Sequence, residues 1–101
     1  MEKFGMYVKF TTRTGAAGRI LVQSLLEAVA GMQAVKECEL YIVGVSETEP
    51  ETVWVTEVWN DAAAHQASLQ NEEAKALIQR ARPLIAAAEQ IRLRPLGGKG
   101  I

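Results

Sequence analysis

The sequence predicts an α+β fold of the ferredoxin-like βαββαβ kind. Three observations carry that prediction. Three short runs alternate apolar and polar residues with a period of two, as strands do, and a fourth is a short, largely apolar run of the kind a buried strand shows. Two stretches instead space their apolar residues by three and four, as amphipathic helices do. The second and third strand-like runs are joined by a short acidic turn, whereas each outer strand is reached across a helix, and that order is the split βαβ plan.

Taken in order, Phe4 to Thr11 alternates aromatic and β-branched residues with polar ones and reads as the first strand. The segment TTRTGAAG carries two glycines and reads as a loop. From Arg19 to about Met32, Leu21, Leu25, Ala28, Val29 and Met32 fall on one helical stripe. Gly31 marks its fraying end. Cys38 to Val45 is a largely apolar second strand, SETEPE an acidic turn, and Thr52 to Asn60 the third strand. A helical region is expected from Asp61 to about Ala88, with Ala74, Leu77, Ile78, Ala81, Ile85 and Ala88 in step. Pro83, which lacks an N–H, is expected to kink or break it. Gln90 to Leu96 is the last strand, its end placed at a sheet edge by Pro95. GGKGI reads as a flexible tail.

Composition bounds the function without naming it. The 101 residues suit one domain, with 49% hydrophobic and 23% charged residues and a formal net charge of -1. The basic residues are scattered, so neither nucleic acid nor an anionic membrane is an expected partner. One cysteine and one histidine leave a dedicated zinc site without enough ligands, and no internal disulfide can form. Charges interrupt MEKFGMYVKF, which therefore does not read as a signal peptide, and no apolar run reaches the roughly 20 residues of a membrane span. A cytoplasmic setting is expected, with no metal or other cofactor.

The most informative segment is Thr52 to Leu69, TVWVTEVWNDAAAHQASL. Alternation puts Val53, Val55, Glu57 and Trp59 on one face and Trp54, Thr56, Val58 and Asn60 on the other. Asp61 is a good N-cap for the helix that follows, and Ala62, His65 and Leu69 then share a stripe. An apolar pocket between sheet and helix is expected, with Trp59 and His65 on its wall. That expectation depends on Val55 and Leu69 being core residues.

The sheet also carries apolar residues on both faces. Phe4, Met6, Val8 and Phe10 oppose Tyr7, and Leu40 and Ile42 oppose Tyr41 and Val43. Helices on one side leave the other face bare, so a second copy of the chain is expected to cover it.

Several segments in order, Cys38-Glu39-Leu40-Tyr41, Glu57-Val58-Trp59, His65-Gln66-Ala67-Ser68-Leu69, Ala81-Arg82-Pro83-Leu84-Ile85 and Gly97-Gly98-Lys99-Gly100, are similar to the antibiotic biosynthesis monooxygenase (ABM) domain superfamily. The resemblance covers nearly the whole chain and implies a ferredoxin-like subunit in a dimeric α+β barrel. It also implies a cofactor-independent monooxygenase acting on quinol- or anthrone-type aromatics. The chain departs from its relatives at Ser68 and Glu73, where many carry histidines, and at Val55, where some carry asparagine. The haem-degrading branch uses an asparagine on the first strand, and none stands between Phe4 and Thr11.

The site expected from these readings has His65 as the catalytic base, with Trp59, Tyr41, Glu57, Val55, Leu69 and Arg82 around the substrate. Each has a plainer role as well. Trp59 either stacks on a flat substrate or anchors the core, and His65 either moves a phenolic proton or is a hydrogen-bonded helix residue. Glu57 shares the face of Trp59, and if buried it must be paired or raised in pKa, with Arg82, Arg92 or Arg94 as candidate partners. Tyr41 either donates to a carbonyl oxygen or packs across strands. Cys38 reads as an inert buried thiol. Three functions stay open: the oxygenase, a cofactor-free isomerase of the same fold, and a non-catalytic hydrophobic-metabolite binding or stress-response protein.

Overall fold

The computed structural model describes residues 2–101. Strand β1 (Phe4–Thr12) leads into helix α1 (Gly15–Met32), then strands β2 (Cys38–Val45) and β3 (Thr52–Trp59) form a hairpin. Two short helices follow, α2 (Ala62–Ser68) and α3 (Glu72–Ala81), then a 3-10 turn at Arg82–Leu84 and the last strand β4 (Ile85–Leu93). The strands form one sheet in the order β2-β3-β1-β4, every neighbour antiparallel. This is the expected βαββαβ ferredoxin-like fold.

The helices lie on one face. That face carries Phe4, Met6 and Val8 from β1 and Val53, Val55 and Trp59 from β3, packed with Leu21 and Leu25 of α1 and Ala81 of α3. Val53, Val55 and Trp59 are all but sealed from solvent, at 0%, 2% and 1% exposure. On β2 a bulge between Cys38 and Leu40 resets the register, so Tyr41 and Val43 join this face while Leu40 and Ile42 turn away. Trp54 lies on the opposite face, exposed, with Lys9 Nζ 5.8 Å from its ring centre.

Three boundaries differ from the sequence-based expectation, each for a local reason. Helix α1 begins at Gly15 rather than near Arg19, because the Thr14 hydroxyl caps it by accepting from Ala17 N at 3.0 Å. The two glycines that read as loop are its first turn, and Gly18 sits buried against the Thr12 side chain. The long helical region is divided before Pro83 as well. The backbone N–H groups of Leu69 and Gln70 bond back to Gln66 and Ala67, and Asn71 Oδ1 accepts from Glu73 N at 2.7 Å to start α3.

The last strand is the largest difference. It starts at Ile85, not Gln90, and ends at Leu93, not Leu96. Ile85 and Ala88 belong to strand, not to the helical stripe that α3 ends at Ala81. Pro83 stops the helix, and pairing along the edge of β1, from Thr12↔Ile85 to Gly5↔Leu93, overrides the low strand preference of Ala86-Ala87-Ala88. Pro95 then passes so close to Gly5 that any Cβ there would meet its ring at 3.0 Å. No helix among the described residues is long and apolar enough to cross a membrane.

Candidate functional site

Strand register builds the site. Across the helix-covered face, Tyr41, Glu57, Met6 and Arg92 stand side by side on β2, β3, β1 and β4. The next row toward the end of the sheet holds Cys38, Trp59 and Phe4. Helix α2 sets His65 above this second row. Its N-cap is Asp61, whose Oδ1 accepts from Ala64 N at 2.7 Å. That cap fixes the first turn and so turns His65 inward, leaving it 9% exposed.

The imidazole is held by rings. It stacks on Phe4 with centroids 4.7 Å apart and planes 27° from parallel, and meets Trp59 edge-on at 5.7 Å. Beneath it, Trp59 Nε1 donates to Glu57 Oε1 at 2.9 Å, and His65 Nε2 lies 3.7 Å from the same oxygen. Glu57 is itself buried, at 8% exposure.

The charge state follows from burial. Desolvation raises the Glu57 carboxyl above the usual carboxylate range, against the indole hydrogen bond, which works the other way. Desolvation, and after it the Arg92 charge, lower the His65 imidazole below its ordinary value. Glu57 and His65 have the spacing of an ion pair, but both groups are pushed toward their neutral forms. Burial thus favours the neutral imidazole and, beside it, a carboxyl that holds its proton above the usual carboxylate range. Burial first, then Glu57 and Cys38, push the Tyr41 phenol up, so it remains a hydrogen-bond donor. Burial and Glu57 likewise raise the Cys38 thiol, whose Sγ lies 3.6 Å from Leu40 O.

The structure thus brings together His65, Trp59, Glu57 and Tyr41, with Val55 one side-chain position further along β3 in the core. Leu69 and Arg82 are not part of this group. Leu69 is the C-cap residue of α2 and is 36% exposed, because the helix ends before its stripe completes another turn. Arg82 is exposed in the 3-10 turn that leads to the Thr12↔Ile85 pairing. The site is at the Phe4 end of β1, eight strand residues and roughly 26 Å away. Arg92 and Arg94 do not pair with Glu57 either, since Arg92 is separated from it by Met6 and Arg94 bonds Glu2 at 3.2 Å. Phe4 is the residue that sequence reasoning missed. Its signal was register, because Phe4 pairs with Trp59 only once β1 and β3 are aligned.

The expected pocket wall also needs correcting. A cleft of about 340 Å³ opens between Lys3, Phe4, Ala62 and Arg92, beside the His65 ring rather than between it and Trp59. A second, of about 200 Å³, lies between α1 and the Val45–Pro50 turn. Trp59 and His65 line neither, because their rings fill the space between sheet and α2. Among the described residues no group of three or more His, Cys, Asp or Glu side chains could hold a metal ion.

A ferredoxin-like subunit with a helix histidine packed over a strand tryptophan defines a class of small α+β proteins, and comparison with known proteins narrows it. The antibiotic biosynthesis monooxygenase family model matches residues 4–80. A protein of Chloroflexus aurantiacus J-10-fl assigned to antibiotic biosynthesis monooxygenases is 33% identical, over 98% of both chains, and superposes with a TM-score of 0.86. The chain belongs to the antibiotic biosynthesis monooxygenase family. More distant structures share the fold. One from Caulobacter crescentus CB15 is 19% identical over 95% of this chain and 92% of its own, with a TM-score of 0.87. The Rv0793 protein of Mycobacterium tuberculosis is 15% identical over 96% and 98%, with a TM-score of 0.83. No curated protein matches the chain in sequence.

Proposed function

We propose that the chain is a cytoplasmic, cofactor-independent monooxygenase that oxidises a quinol- or anthrone-like aromatic molecule and works as a homodimer. The observation that carries this reading is the buried imidazole of His65, held against Phe4 and Trp59 over the Glu57 carboxyl. A neutral imidazole can accept a proton at physiological pH, and its ring clamp leaves it little freedom to turn away.

The chemistry needs little more. The His65 imidazole takes the acidic proton of the bound aromatic, leaving an electron-rich anion. That anion gives an electron to oxygen, and the radical pair combines to a peroxide at the reacting carbon. Loss of water then leaves a carbonyl. For an anthrone, a CH₂ becomes C=O, one oxygen atom enters the product and the other leaves as water, so four electrons pass from carbon to O₂. In its protonated form the Glu57 carboxyl, whose Oε1 already accepts from Trp59, can give a proton to the departing oxygen, and the Tyr41 hydroxyl can donate to the developing oxyanion.

The open sheet face supports the dimer. Ile42, Thr56, Tyr7 and Ile91 form one row across all four strands, flanked by Trp54 on one side and Leu93 on the other. Ile42 and Ile91 are more than half exposed in the single chain. A second copy laid on this face would bury them and leave the His65 side untouched.

The test is isotopic. The purified protein is given an anthrone, a naphthol and a hydroquinone under ¹⁸O₂. One labelled oxygen in the product and one in water supports the reading; turnover without oxygen points to an isomerase, and no turnover of any member to a binding protein.

A further inference from the structure

The cleft beside His65 has a feature the oxygenase reading leaves unused. Three cations line it, and two are occupied. Lys3 Nζ is held by both carboxylate oxygens of Glu39, and Arg94 is bonded to Glu2. The third is Arg92. Among the described residues no carboxylate lies within ion-pairing distance of it. Its guanidinium carbon sits 5.0 Å from the centre of the Phe4 ring, and the His65 imidazole sits 4.7 Å from that same centre. No more than the sum of those distances therefore separates guanidinium from imidazole.

Position on the sheet makes this useful. Arg92 pairs with Met6, so alternation places it on the helix side of β4, in the row of Tyr41 and Glu57 and about 10 Å from Glu57 across two strand spacings. The helices that cover β3 stop short of β4, whose residues beyond Ile85 are exposed. The cleft is thus an open-sided shelf, with apolar Phe4 and Ala62 on its floor and wall and the Arg92 cation at its outer rim; His65 lies behind Phe4, outside the lining. Its volume of about 340 Å³ suits a small aromatic molecule.

We infer that Arg92 is an anion anchor and that the ligand of this site is an aromatic carboxylic acid, its ring seated in the cleft beside Ala62 and the edge of Phe4 and its carboxylate on the guanidinium. The planar fork of an arginine matches a carboxylate with two parallel hydrogen bonds, and the Arg92 guanidinium carbon lies over the Phe4 ring, 5.0 Å from its centre. A bound carboxylate would also offset the Arg92 charge that now lowers the imidazole, so binding would make His65 a stronger base. This inference rests on the oxygenase reading for the aromatic character of the ligand, but the anchor itself is a binding claim and is tested as one.

The experiment is equilibrium titration of the whole chain with 2-naphthoate and with the neutral isostere 2-naphthalenemethanol, read by calorimetry. The expected result is naphthoate binding tighter by about 10-fold or more, the range of a charge-assisted bidentate contact. Arg92→Gln should collapse that ratio toward one, and Arg94→Gln, whose cation is already bonded to Glu2, should keep it. Arg92 is exposed, so the substitution is not expected to unfold the chain. Equal affinity for the two ligands in the unaltered protein would overturn the anchor, as would a ratio that survives Arg92→Gln. A ratio lost equally in Arg94→Gln would overturn it too, showing only general surface charge. Oxygen uptake is measured in parallel with a hydroxynaphthoate. A binding preference without uptake supports the anchor while overturning the oxygenase reading, so the two claims fail separately.

Discussion

Trp59 and Glu57, two residues apart on β3, are joined by an indole hydrogen bond to a buried carboxyl at 2.9 Å. Strand geometry puts both on the same face, and burial means neither polar atom has water to fall back on. Glu57→Gln keeps an acceptor for the indole and should cost little stability. Glu57→Ala leaves the Trp59 N–H without a partner and opens space, so about 1–3 kcal/mol should be lost in urea denaturation. Equal stability of the two variants would mean the bond contributes nothing.

The two titrating groups predict opposite pH limbs. His65 has a folded pKa below 6.5, so in that window the unfolded chain binds more protons and stability falls as pH drops below about 6.5. Glu57 has a folded pKa above 4.5, so the folded chain keeps its proton longer and stability falls as pH rises through that folded value. His65→Gln should flatten the acid limb and Glu57→Gln the other. Melting temperature measured from pH 4.5 to 8 checks both; unchanged slopes would remove the assignment of neutral forms.

Helix α2 has only seven residues, so its cap matters more than usual. Asp61→Ala removes the carboxylate that accepts from Ala64 N and should destabilise the chain by about 1 kcal/mol. Because His65 lies in the next turn, turnover should fall more steeply than stability does. Loss of stability with full turnover would show that the cap does not position the imidazole.

The bare sheet face predicts association. Light scattering should give twice the mass of one chain, and Ile42→Glu, which puts a charge at the β2 end of the Ile42–Thr56–Tyr7–Ile91 row, should give the single mass. An interface of this kind should bury well over about 1,000 Å² in total. A monomer at micromolar concentration in the unaltered protein would contradict it.

Much of the fold was legible because the signals were local. The apolar-polar alternation of β1 and β3 and the apolar run of β2 located those strands to within a residue, and the alternation of β3 set the faces of Trp54 and Trp59. What was not legible depended on partners distant in sequence. Ala86 to Ala88 have no strand character of their own and become strand because β1 offers them an edge. The role of Phe4 needs the β1–β3 register, and the separation of Arg82 from His65 needs the direction in which β4 returns. Leu69 was placed correctly on the helical stripe, but the helix stopped at Ser68.

The central claim is that His65 is the base, and one comparison tests it most directly. Oxygen consumption with an anthrone or hydroquinone is followed in the unaltered protein and in His65→Gln, from pH 5 to 8. The rate should rise with pH through a midpoint below the ordinary histidine value of 6.5, because burial lowers the imidazole. In His65→Gln the rate should fall by about 10²–10⁴-fold, and any residual rate should follow the ionisation of the substrate alone. An unchanged rate in the variant, with the fold intact, would contradict the account and leave His65 a core residue stacked between Phe4 and Trp59.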